Sequence, residues 1–160
     1  MSESTNENIF YGEHRYQIDE KMRIRIPAKF KEMLGEKPFF ICGPGKRILV
    51  YNQAAATGVL EGMFKGLKPA NNKKNMAQSL IGSFASRIDE DKQGRYVLPS
   101  KLIKHAEINR NAVFIGAIYH AEIWSEENWN RANEISSEEY DSLFEAFDDE
   151  VKENQASQKD

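Results

Sequence analysis

Five cations crowd one short stretch, Lys21, Arg23, Arg25, Lys29 and Lys31, and further along Arg95 and Lys101 stand with Gln93 at matching places. Arginine presents a planar fork of donors that fits a guanine edge or a phosphate, whereas lysine is a mobile point charge suited to phosphate. Arg23 and Arg25 alternate with Ile24 and Ile26, so a strand here puts both guanidinium groups on one face and both isoleucines on the other. Such a face either grips a polyanion or is the solvated side of an edge strand, where charge blocks unwanted pairing. The residues alone leave both readings open.

Other chemistries find less support. His14, His105 and His120 are scattered, with none in a His-Glu-x-x-His spacing. The chain has no Gly-x-Ser-x-Gly and no glycine loop of the phosphate-cradling kind, and Cys42 lies in an apolar run that reads as a core thiol. Asp89, Glu90 and Asp91 are consecutive, and adjacent carboxylates rarely converge on one cation. Asp19 and Asp91 read as turn residues that bond their own backbone. We expect no enzyme activity, no metal and no cofactor.

The elements that position these residues come in two copies. Asp19 to Phe30 aligns with Asp91 to Leu102 at a constant offset of 72, with Asp, Arg, Pro and Lys coinciding. The downstream parts echo one another too, Phe39 to Tyr51 against Val113 to Trp124. Each copy reads strand, short helix, strand, strand. Pro27 and Pro99 end a ladder and open a helix, Gly35 closes the first helix, and Gly43 to Lys46 forms a hairpin turn. The resulting organisation is a first repeat at 10–54, a helical connector at 55–83, a second repeat at 84–127, C-terminal helices at 128–148 and an acidic tail at 149–160 expected to be disordered. In the connector, Val59, Leu60, Met63, Phe64 and Leu67 share one helical face, Lys68 to Lys74 reads as a loop, and a second helix carries Met76, Leu80, Ile81 and Phe84. Ser136 or Ser137 opens the last helix, whose stripe of Tyr140, Leu143, Phe144 and Phe147 is expected to pack into the core.

The chain has 160 residues, 40% hydrophobic and 29% charged, with a net charge of -3. That size excludes a large multidomain enzyme, and no apolar run approaches the ~20 residues that cross a bilayer. The polar, acidic start at Met1 to Tyr11 has no apolar signal core, and one cysteine builds no disulfide framework, so a soluble, unexported protein of the reducing cytoplasm is expected. The small net charge conceals an asymmetry. Residues 1–104 hold 18 Lys and Arg against 11 Asp and Glu, and residues 105–160 hold 4 against 14. This predicts a basic working surface followed by an acidic, solvated end.

Phe10-Tyr11-Gly12-Glu13, the segment Ile18 to Phe30, Asp91-Lys92-Gln93-Gly94-Arg95 and Glu122-Ile123-Trp124 together resemble the MraZ family of bacterial transcriptional regulators, over roughly residues 9–130. The resemblance implies an α+β fold, a duplicated swapped-hairpin β-barrel of the SpoVT/AbrB type with connecting and C-terminal helices. It further implies a ring-shaped homo-oligomer, associated with the nucleoid, that binds tandem repeats in double-stranded promoter DNA and represses its own division and cell-wall gene cluster. The family's DNA-contacting segment falls on Lys21 and Arg23 in the first copy and on Gln93 and Arg95 in the second. Around it we assign Arg23 and Arg25 to base reading and Lys21, Lys29 and Lys31 to phosphates, with Lys101 as the second copy's counterpart of Lys29. Two departures stand out: Met22 replaces the family's glycine, while Gly94 keeps it, and Glu90 replaces an apolar residue. The alternatives are an AbrB or antitoxin-type regulator whose acidic tail binds a partner protein, and a ring-forming protein without DNA binding.

Overall fold

Aspartate and proline punctuate both copies at the same places, Asp19 with Asp91 and Pro27 with Pro99, and in the computed structural model, which describes residues 9–66 and 72–159, similar elements follow. The first copy forms β1 (Glu13–Gln17), β2 (Arg23–Ile24), α1 (Ala28–Leu34), β3 (Phe39–Gly43) and β4 (Arg47–Tyr51). The connector forms α2 (Gln53–Phe64) and α3 (Asn72–Phe84). The second copy forms β5 (Ser86–Arg87), β6 (Tyr96–Val97), α4 (Ser100–His105), β7 (Asn111–Gly116) and β8 (Ala121–Ser125), and then come α5 (Glu126–Ala132) and α6 (Ser137–Ser157). The chain divides into two units after Asn128.

In the first unit, six antiparallel strands run in the order β1-β7-β8-β4-β3-β5, and β2 and β6 make a separate ladder. The copies exchange strands. β1 pairs with β7 of the other copy, Glu13 opposite Ile115, and β5 pairs with β3, Phe39 opposite Arg87. The β2–β6 ladder is only two pairs long, Arg23 with Val97 and Ile24 with Tyr96. Pro27 and Pro99 lie just beyond it and have no N–H to extend it. The α+β class agrees with this arrangement, and among the described residues the strands form an open six-stranded order and a separate two-stranded ladder rather than a closed barrel.

Alternation sets the core. Ile24 and Ile26 are buried, whereas Arg25 is exposed and Arg23 half-buried. Phe30 of α1 is fully enclosed, 5.6 Å from the Phe10 ring and 5.3 Å from that of Phe114. Phe40 faces this main core and its neighbour Ile41 faces a smaller cluster with Tyr51 and Ala56, as a strand's period of two requires. Leu60 of α2 and Ile81 of α3 pack on the second cluster, whereas Val59, Met63, Met76 and Leu80 stay exposed. The expected connector face is therefore only partly used. Leu67 and the first part of the expected 68–74 loop lie outside the described residues, and helix resumes at Asn72. Enclosing each such large apolar side chain is worth about 1.5–3 kcal/mol.

The second unit is dominated by α6. Ser136 caps it, its Oγ accepting from the Glu139 N–H at 3.1 Å, with Glu138 and Glu139 favourably placed against the positive end of the helix dipole. The helix continues to Ser157, past Asp148, where composition had indicated a disordered tail. Tyr140, Leu143, Phe144 and Phe147 are 52–65% exposed, so the stripe is not the core element its pattern indicated.

Candidate nucleic-acid interface

Both copies of the Asp-x-x-x-Arg segment fold into the same aspartate-clamped turn. In the first, Asp19 Oδ1 accepts from the backbone N–H of Lys21 at 3.0 Å and of Arg23 at 2.9 Å, and Asp19 Oδ2 accepts from Arg23 Nε. In the second, Asp91 Oδ1 accepts from the N–H of Gln93 at 2.8 Å and of Arg95 at 2.9 Å, and Asp91 Oδ2 from Arg95 Nε at 3.0 Å. The expectation that these aspartates organise turns agrees with this geometry. Met22 takes φ 60° and Gly94 φ 75°, so the first turn keeps the left-handed shape despite its side chain.

The clamps set local charge. Burial works against ionised Asp19 but is outweighed by the Arg23 backbone N–H, its guanidinium and the Lys21 N–H, which hold the carboxyl below its ordinary range. For Asp91 the Arg95 backbone N–H is the largest influence and burial opposes it, with the same outcome. Arg23 and Arg95 are consequently tied by Nε to their own turns and only about a fifth exposed, at 23% and 22%. Their terminal nitrogens make no hydrogen bond among the described residues, so each points its fork from a fixed base.

Arg25 is placed differently. Its Nη1 crosses to the other copy and donates to the Gln93 backbone carbonyl at 2.7 Å. Lys31, from α1, reaches the same turn: Arg25 Nη1 and Lys31 Nζ each lie 3.8 Å from the point where Gly94 would carry a Cβ. Glu90 Oε2 lies 3.9 Å from that point and bonds Lys31 Nζ. This carboxylate, with burial opposing, raises the Lys31 pKa. Beside the cluster opens a groove of about 720 Å³ lined by Lys31, Lys37, Asp89, Glu90 and Tyr96 among others.

Of the remaining expected residues only Gln93 joins this cluster, through its backbone. Lys21 is exposed at the tip of the first turn and forms no ion pair among the described residues. Lys29 sits over the Tyr11 ring at 3.0 Å and Lys101 over the Phe84 ring at 5.3 Å, equivalent positions on α1 and α4 stabilised in equivalent ways. Gln93 contributes its backbone carbonyl to Arg25. Sequence reasoning did not reveal that Arg25 spans the two copies or that Glu90 pairs with Lys31, since both depend on which strands are neighbours.

It also missed a buried carboxylate on the other part of the sheet. Glu122 accepts from Trp124 Nε1 at 2.9 Å and lies 2.8 Å from His120 Nε2 and 3.4 Å from Arg47 Nη1. Burial would raise its pKa, but His120, Trp124 and Arg47 together lower it. Cys42 is half-buried against the main core, and burial pushes its thiol up. Among the described residues no group of three or more His, Cys, Asp or Glu is arranged to hold a metal, and no helix is long and apolar enough to cross a membrane.

Comparison with known proteins gives this geometry its context. The family model described as "MraZ protein, putative antitoxin-like" matches residues 9–55 and 83–157, which include both turns, α4 and α6. The transcriptional regulator MraZ of Clostridium acetobutylicum is 37% identical over 128 residues, 80% of this chain and 89% of its own. That of Syntrophomonas wolfei is 35% identical over 137 residues, 86% of this chain and 95% of its own. That of Alkaliphilus oremlandii is 33% identical over 135 residues, 84% of this chain and 94% of its own. With two Asp-clamped turns inside the matched segments and relatives aligned over nearly their whole lengths, the chain belongs to the MraZ family.

Proposed function

We propose that the chain is a sequence-specific regulator of transcription that binds double-stranded promoter DNA in the cytoplasm, at the nucleoid, and has no catalytic role. The observation that carries this reading is the composite turn, where Arg25 and Lys31 of the first copy meet Gln93 and Gly94 of the second beside a fixed Arg95. A β-ribbon with such a cationic edge is narrow enough for a major groove. Arg25 is the leading base reader, Arg23 and Arg95 are pre-positioned forks for bases or phosphates, and Lys21, Lys29, Lys31 and Lys101 hold phosphates and set register.

A few cations per protomer bind weakly, because affinity grows with the number of phosphates neutralised. Several protomers in a SpoVT/AbrB-type ring on tandem repeats would raise it through effective concentration. Repression of the chain's own division and cell-wall gene cluster is the regulatory outcome this arrangement favours. The exposed apolar stripe on α6 supplies surface for contact between copies. The same stripe favours a second reading, in which α6 binds a partner protein as antitoxin-type regulators do.

The test is a fluorescence-anisotropy titration of the wild type and Arg25→Ala on DNA from the chain's own upstream region and on scrambled DNA, at two salt concentrations. Preferential, salt-sensitive binding that weakens about fivefold or more in Arg25→Ala, at unchanged assembly size, is expected. Equal binding to both DNAs would end the promoter-regulator reading.

A further inference from the structure

Glu90 is an anion set inside a cationic cluster. Its Oε2 bonds Lys31 Nζ, and together with Arg25 Nη1 these atoms all lie within 4 Å of one point above Gly94. Next to it Asp89 Oδ2 lies 3.7 Å from Lys37 Nζ, so the acidic run answers two lysines, one in α1 and one just after it. A carboxylate and a phosphate present similar acceptor oxygens to lysine and arginine. The Glu90 side chain is 44% exposed and that of Lys31 40%, so water and other anions reach the pair. An ion pair this exposed contributes little to stability and is readily exchanged.

From this arrangement we infer that Glu90 is a built-in competitor for DNA: its carboxylate occupies the place of a phosphate between Lys31 and Arg25, and DNA must displace it to use Lys31. The inference rests on the DNA-binding reading above and adds a restraint to it. Two consequences follow from the charges. Because Lys31 is already neutralised internally, it releases no net counterion when it exchanges Glu90 for a phosphate, and the salt dependence of binding is shallower than the cation count implies. Since the displaced carboxylate repels any phosphate backbone whatever its sequence, the restraint weakens binding to every DNA by a similar factor and leaves discrimination to the arginines that reach base edges. Glu90 thus sets affinity and salt dependence while touching no base.

The experiment uses the full chain as wild type, Glu90→Gln, Lys31→Ala and the Lys31→Ala/Glu90→Gln double variant. Glu61→Gln, which removes the same charge from the exposed side of α2, serves as control. Affinity for upstream and scrambled DNA is measured across a salt series, with assembly size checked for each variant. In Glu90→Gln, scrambled DNA is expected to bind about threefold or more tighter, with a salt slope steeper by about one per engaged site. The upstream DNA should gain by a similar factor, so the ratio between the two DNAs is preserved. Lys31→Ala should cost little in the wild type and several-fold more in the Glu90→Gln background. Glu61→Gln matching Glu90→Gln would show a general charge effect and overturn the inference. So would a Lys31→Ala cost that is the same in both backgrounds. If no variant binds upstream DNA better than scrambled DNA, the DNA-regulator reading itself fails, which is distinct from a wild type that discriminates while Glu90→Gln changes nothing.

Discussion

Met22 holds φ 60° in the turn whose twin carries Gly94 at φ 75°. A side chain in the left-handed region costs roughly 1–2 kcal/mol, while glycine there costs extra unfolded-state entropy. Met22 is exposed and contributes little packing that glycine would forfeit. Met22→Gly is therefore expected to stabilise the protein by about 0.5–1 kcal/mol, read as a higher urea midpoint at unchanged slope. Arg25 has the opposite character: it is not among the positive-φ residues, and its exposed guanidinium makes a solvent-accessible hydrogen bond to the Gln93 carbonyl, so its loss should be felt in DNA binding more than in stability. Neither residue's role follows from its type alone. Met22 was legible as an anomaly because its repeat partner is a glycine, and Arg23 was marked by its repeat partner Arg95, whereas nothing in the sequence told that Arg25 reaches the Gln93 carbonyl of the other copy.

At the scale of the element, the two clamped turns make the fold sensitive to acid. Asp19 and Asp91 both have carboxyls held below the ordinary range, so as pH falls the unfolded chain takes up these protons before the folded one. Their stabilisation is present above the unfolded value of about 3.9 and is lost as pH drops through the lower folded values. Urea midpoints measured from pH 6 down to pH 3 should fall modestly below about pH 4, the carboxyls being partly open to solvent, and the Asp19→Asn/Asp91→Asn variant should be less stable at pH 6 with a flatter profile. The turns, the alternation around Ile24 and Ile26, and the proline-marked helices were all readable, because short-range chemistry dictates them. Strand pairing was not. β1 and β5 carry similar patterns, and so do β3 and β7, so pairing within or between copies would satisfy the same local sequence. The extent of α6 was also misread. Its acidic end looked like a tail, yet Glu, Ala and Lys are good helix formers and no glycine or proline interrupts Ser137–Ser157.

At the scale of the whole molecule, the ring proposed above would draw its contacts from surface that the single chain leaves open. The stripe on α6, Tyr140, Leu143, Phe144, Phe147 and also Val151, is the longest apolar row among the described exposed residues, set on an acidic helix. Leu143→Asp with Phe147→Asp is expected to lower the assembly mass seen by light scattering while leaving the melting of the first unit unchanged. An unaltered mass would place the contacts between copies elsewhere and favour the partner-protein reading of α6. Strand exchange carries a further consequence, for synthesis. Glu13 of β1 finds its opposite in Ile115 of β7, so at ~5–20 residues per second the first strand emerges from the ribosome on the order of 5–20 s before its mate exists. Non-local pairing of this kind also slows the search once the mate has appeared. A nascent chain in that interval displays a solitary strand edge, and the exposed face of β1 is Glu13, Arg15 and Gln17, two of them charged. Those side chains suit a strand that has to stay soluble while it waits.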